Sequence, residues 1–439
     1  MEMTSLAARL LAGDSSLFEG TTAEHSLGWL HHPGRYLGDW LEETSQRVPH
    51  RHARTLLLGM GGSSSPARLY ADWRPDNQLI VLDTSNPDTI AGTDFSSATV
   101  IASSKSGATI ETQTLLAHAL ANGLHAEDLV IITDPGTAFV ELGASLGALV
   151  VEGDPNTGGR FSSLSPFGLI PALYAGWSVG ELREELAASH LSVTLVEGAV
   201  QEAALRAQSI SNAKASYALG ADPITSGGAL WLEQLVAETT GKNDRGFIPV
   251  LDGPRAEYRP RDMQHHHLVA ALLAWHLGVD PFNQPDVESA KKNVFSLLQA
   301  PVSWEPRHEN LEQMRGQLAN STYNVLQVYA PLEASDALSA LRTRVALRYG
   351  TTTANLGPRY LHSTGQLHKG GPTGVVGLQI VQRPISDPVR IAGRHFTFHD
   401  LHMAQATSDY RAMRESGRSV FQLIVDHLDE VAGILNLEP

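Results

Sequence analysis

The sequence predicts an α/β protein built from two doubly wound parallel-sheet units with flanking helices. Three observations predict it. Short apolar runs alternate with helical patterns between Thr55 and Val151, which implies parallel strands joined by right-handed crossovers. Two of these runs end in small, flexible turns, Gly-Met-Gly-Gly-Ser (59–63) and Ser-Lys-Ser-Gly-Ala-Thr (104–109), where ligand crevices of such sheets lie. Strand and helix patterns then alternate a second time from Ala215 onward.

Taken in order, residues 1–50 read as a helical and irregular segment, with Trp29, Leu30, Tyr36, Leu37 and Trp40 forming an apolar face. The first α/β unit, 51–190, has strands at Thr55–Gly59, Gln78–Leu82, Thr99–Ala102, Leu129–Ile132 and Ala148–Val151, with a helix over Ile110–Asn122. Residues 162–188 read as helical, with Pro166 and Pro171 near helix starts or kinks, and 195–210 as an Ala-rich helix. The second unit, 195–400, has strands at Ala215–Ala221, Phe247–Leu251, Val325–Ala330 and a final long one at Val375–Val381. Its helices fall at Gly228–Thr240, His265–Leu277, Asp286–Leu298 and Ala334–Tyr349, the first ending at Gly241 as C′ residue. Residues 401–439 read as C-terminal helices, His402–Arg418 and Ser419–Leu435. The two units share no readable sequence repeat.

Composition narrows the function. With 439 residues the chain can form two or three domains with real cores. A net charge of −15 argues against nucleic acid, whose phosphates need a basic surface. No apolar run approaches the ~18 residues of a membrane span, and no secretory signal is recognisable at the N-terminus. The absence of cysteine rules out disulfides and thiol catalysis and is compatible with a cytoplasmic location. Lys105, Arg160, Lys242 and Lys291 nevertheless fall within candidate site segments, so a small basic focus inside an acidic molecule is expected.

The segment Val100–Thr112 carries the chemistry most plainly. It leads from a strand through Ser104, Lys105, Ser106 and Thr109 into a helix N-terminus. Orphan amides and the helix dipole there favour an anion. The spacing is not that of a nucleotide P-loop, so a sugar phosphate is the expected anion. An ordinary capped helix is the plain alternative. The turn ending at Ser63 would line the same crevice, and Gly158-Gly-Arg-Phe-Ser162 supplies Arg160 on a flexible turn.

Ser104-Lys-Ser-Gly-Ala-Thr-Ile-Glu-Thr112 resembles the phosphate-loop signature of glucose-6-phosphate isomerases. Leu58-Gly-Met-Gly-Gly-Ser63 and Gly158-Gly-Arg-Phe-Ser162 are similar to two more of that family's signatures. Glu238-Thr-Thr-Gly-Lys242 with Gly246-Phe-Ile-Pro249 resembles its glutamate segment, and Asn283–Phe295 its lysine segment. Gly357–Gly371 resembles the isomerase half of bacterial fusions with transaldolase, although no transaldolase-like half is visible. The resemblance implies two units of the sugar-isomerase (SIS) type and an enediol proton transfer between glucose 6-phosphate and fructose 6-phosphate. It implies Glu238 as the base, Arg160 as the enediolate holder and Lys291 with a histidine as the ring-opening groups. It assigns Ser63, Ser104, Lys105, Ser106 and Thr109 to the phosphate, with no metal and no cofactor.

The histidine is displaced from the family pattern. Leu361-His-Ser-Thr-Gly-Gln366 follows the lysine segment instead of preceding it, so His362 competes for the role with His265–His267. Three adjacent histidines point in different directions on a helix and do not make a metal site. The resemblance also implies a possible homodimer and a possible separate transaldolase partner. Two other functions stay open: an isomerase that also takes mannose 6-phosphate, and a sugar-phosphate-binding regulator without catalysis.

Overall fold

The computed structural model describes residues 3–20, 25–50, 52–212, 214–299, 304 and 309–438, apart from the side chains at 3–4 and 288–292. Its first sheet is five-stranded and wholly parallel. The strands are β1 (Thr55–Gly59), β2 (Leu79–Leu82), β3 (Thr99–Ser103), β4 (Leu129–Thr133) and β5 (Leu149–Glu152), in the order β2-β1-β3-β4-β5. Side chains alternate between two covered faces. Leu57, Val81, Ile101 and Val130 enter the core shared with helices Gly227–Thr240 and Met263–Leu277. Leu56, Leu58, Val100 and Ile131 pack toward helices Ile110–Ala121 and Phe398–Glu415. Helices on both faces are what makes near-continuous apolar strands stable.

The order places the switch between β1 and β3. The chain leaves β1 toward β2 on one side and returns to β3 on the other, so the turns after Gly59 and Ser103 diverge and leave a crevice. Gly61–Ser65 and Ser104–Thr109 therefore follow the two neighbouring strands on either side of this switch.

The next two strands, β6 (Lys214–Ala218) and β7 (Gly246–Val250), form a separate two-stranded parallel ladder. The second sheet consists of β8 (Tyr323–Tyr329), β9 (Thr352–Leu356), β10 (Val375–Gln382) and β11 (Ser419–Val425), in the order β11-β10-β8-β9. Counted from its own first strand, that is the order of the first sheet without its fifth strand. The topology repeats although the sequence does not.

Three expectations are corrected. Ser419–Leu435 is not a helix: β11 pairs in register with β10 across Ser419–Val425, and only Glu430–Ile434 is helical. The β-branched and aromatic run Ser-Val-Phe-Gln-Leu-Ile-Val follows Gly417, which ends the preceding helix, and suits a strand. Residues 401–439 are thus not a helical appendage, and Val375–Val381 is not the last strand. β9 has no counterpart among the expected strands because Thr-Thr-Ala-Asn-Leu reads as polar, yet all five residues are buried. The second sheet also begins at β8, later than Ala215. Helices Val193–Ala207 and Met263–Leu277 contribute to the first unit's core instead.

One contact closes the second sheet. Its own switch lies between β8 and β10, and the short helix Pro87–Ala91 of the first unit sits there. The Asp88 carboxylate accepts the backbone N–H of Ile385 at 3.1 Å and of Ser386 at 2.8 Å, just past β10. Thr89 Oγ1 accepts the N–H of Leu332, just past β8, at 3.0 Å and donates to Glu333 at 3.0 Å.

Candidate functional site

Helix Gly227–Thr240 is buried along its whole length, so the polar residues on it need partners. Glu238, in its last turn, has them. Arg160 Nη2 donates to Glu238 Oε1 at 3.0 Å, and Arg160 Nη1 donates to the Glu238 backbone carbonyl at 2.8 Å. The same guanidinium donates to the carbonyls of Pro281 and Asn283, at 2.8 and 3.2 Å. It thus ties the Glu238 helix to the segment leading into helix Pro285–Leu297. Burial lowers the proton affinity of Arg160 and Glu238 opposes that; an arginine remains charged under such a balance.

The second Glu238 oxygen is held by Gln234, one turn earlier. Gln234 Nε2 donates to Glu238 Oε2 at 3.0 Å and to the His362 backbone carbonyl at 3.1 Å, while Ser65 Oγ donates to Gln234 Oε1 at 2.7 Å. The displaced Leu-His-Ser-Thr-Gly-Gln segment therefore lies one side chain away from Glu238. Arg359 anchors it from the other side in a two-pronged pair with buried Asp83 at the end of β2, both distances 2.8 Å.

Two glycines make this convergence possible. A Cβ on Gly61 would lie 2.3 Å from the His362 carbonyl oxygen, and one on Gly62 would lie 2.0 Å from the Gly159 carbonyl oxygen. The turn after β1 is bare of side chains because two other site segments lie directly against it. Its Ser63 is buried, and its carbonyl accepts Ser103 Oγ at 2.7 Å.

The turn after β3 brings its hydroxyls together at the start of helix Ile110–Ala121. Thr109 is the N-cap of helix Ile110–Ala121 but makes no side-chain cap bond; its Oγ1 lies 3.0 Å from Ser104 Oγ. Ser106 Oγ accepts the N–H of Ala108 at 3.2 Å. Lys105 points elsewhere. Its Nζ donates to Asp134 at 2.8 Å and to the Asp154 carbonyl at 2.9 Å, over the Phe167 ring.

His362 Nε2 lies 2.8 Å from Glu111 Oε1 in the first turn of that helix. A carboxylate at this distance orients the imidazole. A cavity of about 260 Å³ opens here, lined by Ser106, Thr109, Glu111, His362, Gln405 and, from helix Pro285–Leu297, Val294 and Phe295. Lys291 lies on that helix, one turn before Val294; its side chain is outside the described residues. Glu238 and Arg160 do not line this cavity; Gln234 connects them to its His362 wall. Two larger clefts of about 760 Å³ lie away from these segments, beside β5 and beside His395.

The rival histidines are spent on packing. His265 Nε2 pairs with Glu202 at 2.7 Å. His266 is wedged against Trp231 and Tyr258, and burial pushes it down to about 4. His267 Nε2 lies 3.0 Å from Ser163 Oγ, with its ring against Trp29, Phe161 and Trp231. Lys242 is also buried, donating to the Thr239 carbonyl at 2.9 Å and to that of Asp280; burial first, and then Arg160, push it well below its ordinary value. Among the described residues no group of three His, Asp or Glu is placed to hold a metal ion, and no helix is long and apolar enough to cross a membrane.

Sequence reasoning missed Gln234, Gln405 and the role of Glu111. Gln234 had a usable signal, four residues before Glu238 and hence on the same helix face. Glu111 lies inside a segment already singled out. Gln405 had no local signal, because its partners come from other elements.

Fold and site together define an α/β protein with a serine- and threonine-lined turn at a helix N-terminus and a buried carboxylate–guanidinium pair. Among curated proteins the chain is similar to glucose-6-phosphate isomerases. That of Rubrobacter xylanophilus is 34% identical over 33% of this chain and 37% of its own length. The probable enzyme of Haloquadratum walsbyi is 32% identical over 44% of this chain and 49% of its own. The matches thus span a third to a half of these relatives. No family model matches the chain. Among solved structures, a hypothetical protein from Thermus thermophilus aligns over 99% of this chain and 86% of its own, with 20% identity and a TM-score of 0.36.

Proposed function

We propose that this chain is a metal-independent sugar-phosphate isomerase interconverting glucose 6-phosphate and fructose 6-phosphate in the cytoplasm. The observation that carries the reading is the convergence on Glu238. A buried carboxylate meets a guanidinium that stays charged, and both are linked through Gln234 to the histidine segment. A pure binder needs no such base.

In this reading Ser104, Ser106, Thr109 and the open amides after β3 hold the phosphate, with Ser63 supporting the turn beside them. His362, oriented by Glu111, moves a proton between the ring oxygen and the anomeric hydroxyl and so opens the ring; Lys291 assists, as the family resemblance implies. Glu238 then takes the proton from C2 and returns it to C1. Arg160 balances the negative charge that the enediolate oxygens gain between the two transfers. Lys105, engaged by Asp134, contributes positive potential at the base of the turn.

A coupled assay with fructose 6-phosphate, followed through glucose 6-phosphate oxidation, tests the reaction. Mannose 6-phosphate in a parallel assay tests the wider specificity. Binding of fructose 6-phosphate without turnover would leave a sugar-phosphate regulator and refute the enzyme.

A further inference from the structure

The His362–Glu111 pair is itself held by a chain of buried groups from the other side of the molecule. Gln405 sits in the middle of helix Phe398–Glu415 and is 1% exposed. Its Nε2 donates to Glu111 Oε1 at 2.6 Å, the same oxygen that faces His362 Nε2. Its Oε1 accepts from Ser85 Oγ at 2.6 Å, and Ser85 Oγ lies 3.0 Å from His402 Nδ1. Ser85 and His402 are fully buried, and burial pushes His402 down to about 3, so it is a neutral ring here.

This chain has one consistent direction. Neutral His402 donates from Nδ1 to the Ser85 oxygen, Ser85 donates to the amide oxygen, and the amide nitrogen donates to Glu111. Turning the amide over would face two oxygens toward each other at an ionised Glu111, while Ser85, which can both donate and accept, fits either orientation. The Gln405 orientation is therefore set by the Glu111 carboxylate, with Ser85 holding the amide oxygen.

We propose that Gln405, held by Ser85, is a positioning residue that keeps Glu111 ionised and aimed at His362. The inference rests on the isomerase reading above. A donor on the carboxylate stabilises its charged form, and the same carboxylate oxygen faces His362 Nε2. Gln405 joins the helix that packs beneath β10 and β11 to the turn after β3, so ring opening depends on how the two units meet.

The titratable groups around position 405 are few. Glu111 and His362 face it across the cavity. His402 lies one turn back, with the Tyr329 ring against it. Asp409 lies one turn on and is held by Lys369 at 2.5 Å and by the Tyr360 hydroxyl at 2.8 Å. The neighbouring helix Pro285–Leu297 carries Asp286, Glu288, Lys291 and Lys292, of which Asp286 is bonded to Gln366.

Gln405→Glu is the decisive variant because it keeps the shape and makes the donor titratable. At low pH the new carboxyl is protonated and donates to Glu111 as the amide does. As pH rises it ionises against Glu111 and the support is lost. The expected result is a fall on the order of tenfold in kcat for cyclic substrate between pH 6 and pH 8.5, beyond any change in the wild type. Exchange on an open-chain substrate should stay level. Gln405→Leu should show the loss at every pH, and Ser85→Ala a smaller loss in the same direction. The His362 ring proton signal, followed by NMR in the unliganded protein, should titrate differently in Gln405→Leu and wild type.

The NMR readout does not require turnover, so an inactive wild type would sink the isomerase reading alone. A Gln405→Glu pH profile parallel to wild type, an equal loss on cyclic and open-chain substrates, or an unmoved His362 titration in Gln405→Leu would each overturn the positioning role. Should Gln405→Glu not fold, Gln405→Leu and Ser85→Ala decide by the cyclic-to-open-chain ratio and the NMR titration.

Discussion

Glu233 is buried in helix Gly227–Thr240, five residues before Glu238, and burial pushes its carboxyl up to about 8. Asn355 of β9, which donates to it at 2.5 Å, only partly offsets the desolvation. The side chain is therefore neutral at pH 7. Replacing it by glutamine keeps the size and leaves an oxygen for Asn355 while removing the titration. The sign follows from linkage. In the wild type the unfolded chain releases this proton near its ordinary value of 4.5, and the folded chain keeps it until about 8. Folding stability must fall as pH rises through that window and level off above it. At ~1.36 kcal/mol per pH unit the ceiling is about 5 kcal/mol, and relaxation around the new charge reduces the expected value to about 1–3 kcal/mol. Urea denaturation of wild type and Glu233→Gln at pH 5, 7 and 9 measures it. Titrations common to both proteins cancel in the difference. The variant should gain on the wild type steadily from pH 5 to pH 9. A difference that does not change with pH would refute the buried proton.

Four further outcomes are expected. Glu238→Gln should lower kcat by about 10²–10⁴ while fructose 6-phosphate still binds in calorimetry, because the shape is kept and the base removed; turnover within a few-fold of wild type would discharge Glu238 from the role. Changing Ser104 and Thr109 together to alanine should raise KM far more than it lowers kcat, since the phosphate does not react. The reverse pattern would count against the phosphate assignment. Asp88→Ala should destabilise the protein by about 1–3 kcal/mol by freeing the amides after β10, with faster hydrogen exchange at Ile385 and Ser386 and unchanged exchange in β1. Activity should survive exhaustive EDTA treatment, and loss restored by a divalent ion would contradict the proton-transfer scheme.

The first sheet is legible in the sequence because its strands are short apolar runs punctuated by glycine and serine turns, which local chemistry alone produces. All five strands fall within a residue or so of expectation. β9 is hidden because its threonines and asparagine are buried by tertiary packing, which the local pattern does not record. β11 escapes because Ser419–Leu435 scans as one helical segment, although its first seven residues carry strand chemistry. At the site, motifs alone point to Glu238 and Arg160, and the structure places them 3.0 Å apart. The place of Lys105 in its turn suggests a phosphate ligand, whereas Asp134, 29 residues on, holds its charge. Gln234 and Gln405 act through partners more than 120 residues away in the chain, and no local pattern carries that information.

Asp88 gives the two sheets different fates. Both have a strand-order switch with backbone amides beyond it, the feature that lets such sheets receive ligands. In the first, on the proposed reading, the place belongs to the substrate phosphate. In the second the first unit supplies its own carboxylate, and a tethered group of this kind acts at an effective concentration in the millimolar range or above without diffusing away. Free phosphate would have to compete with this tethered carboxylate. On this reading titration with a phosphate ester should reveal one class of site per chain.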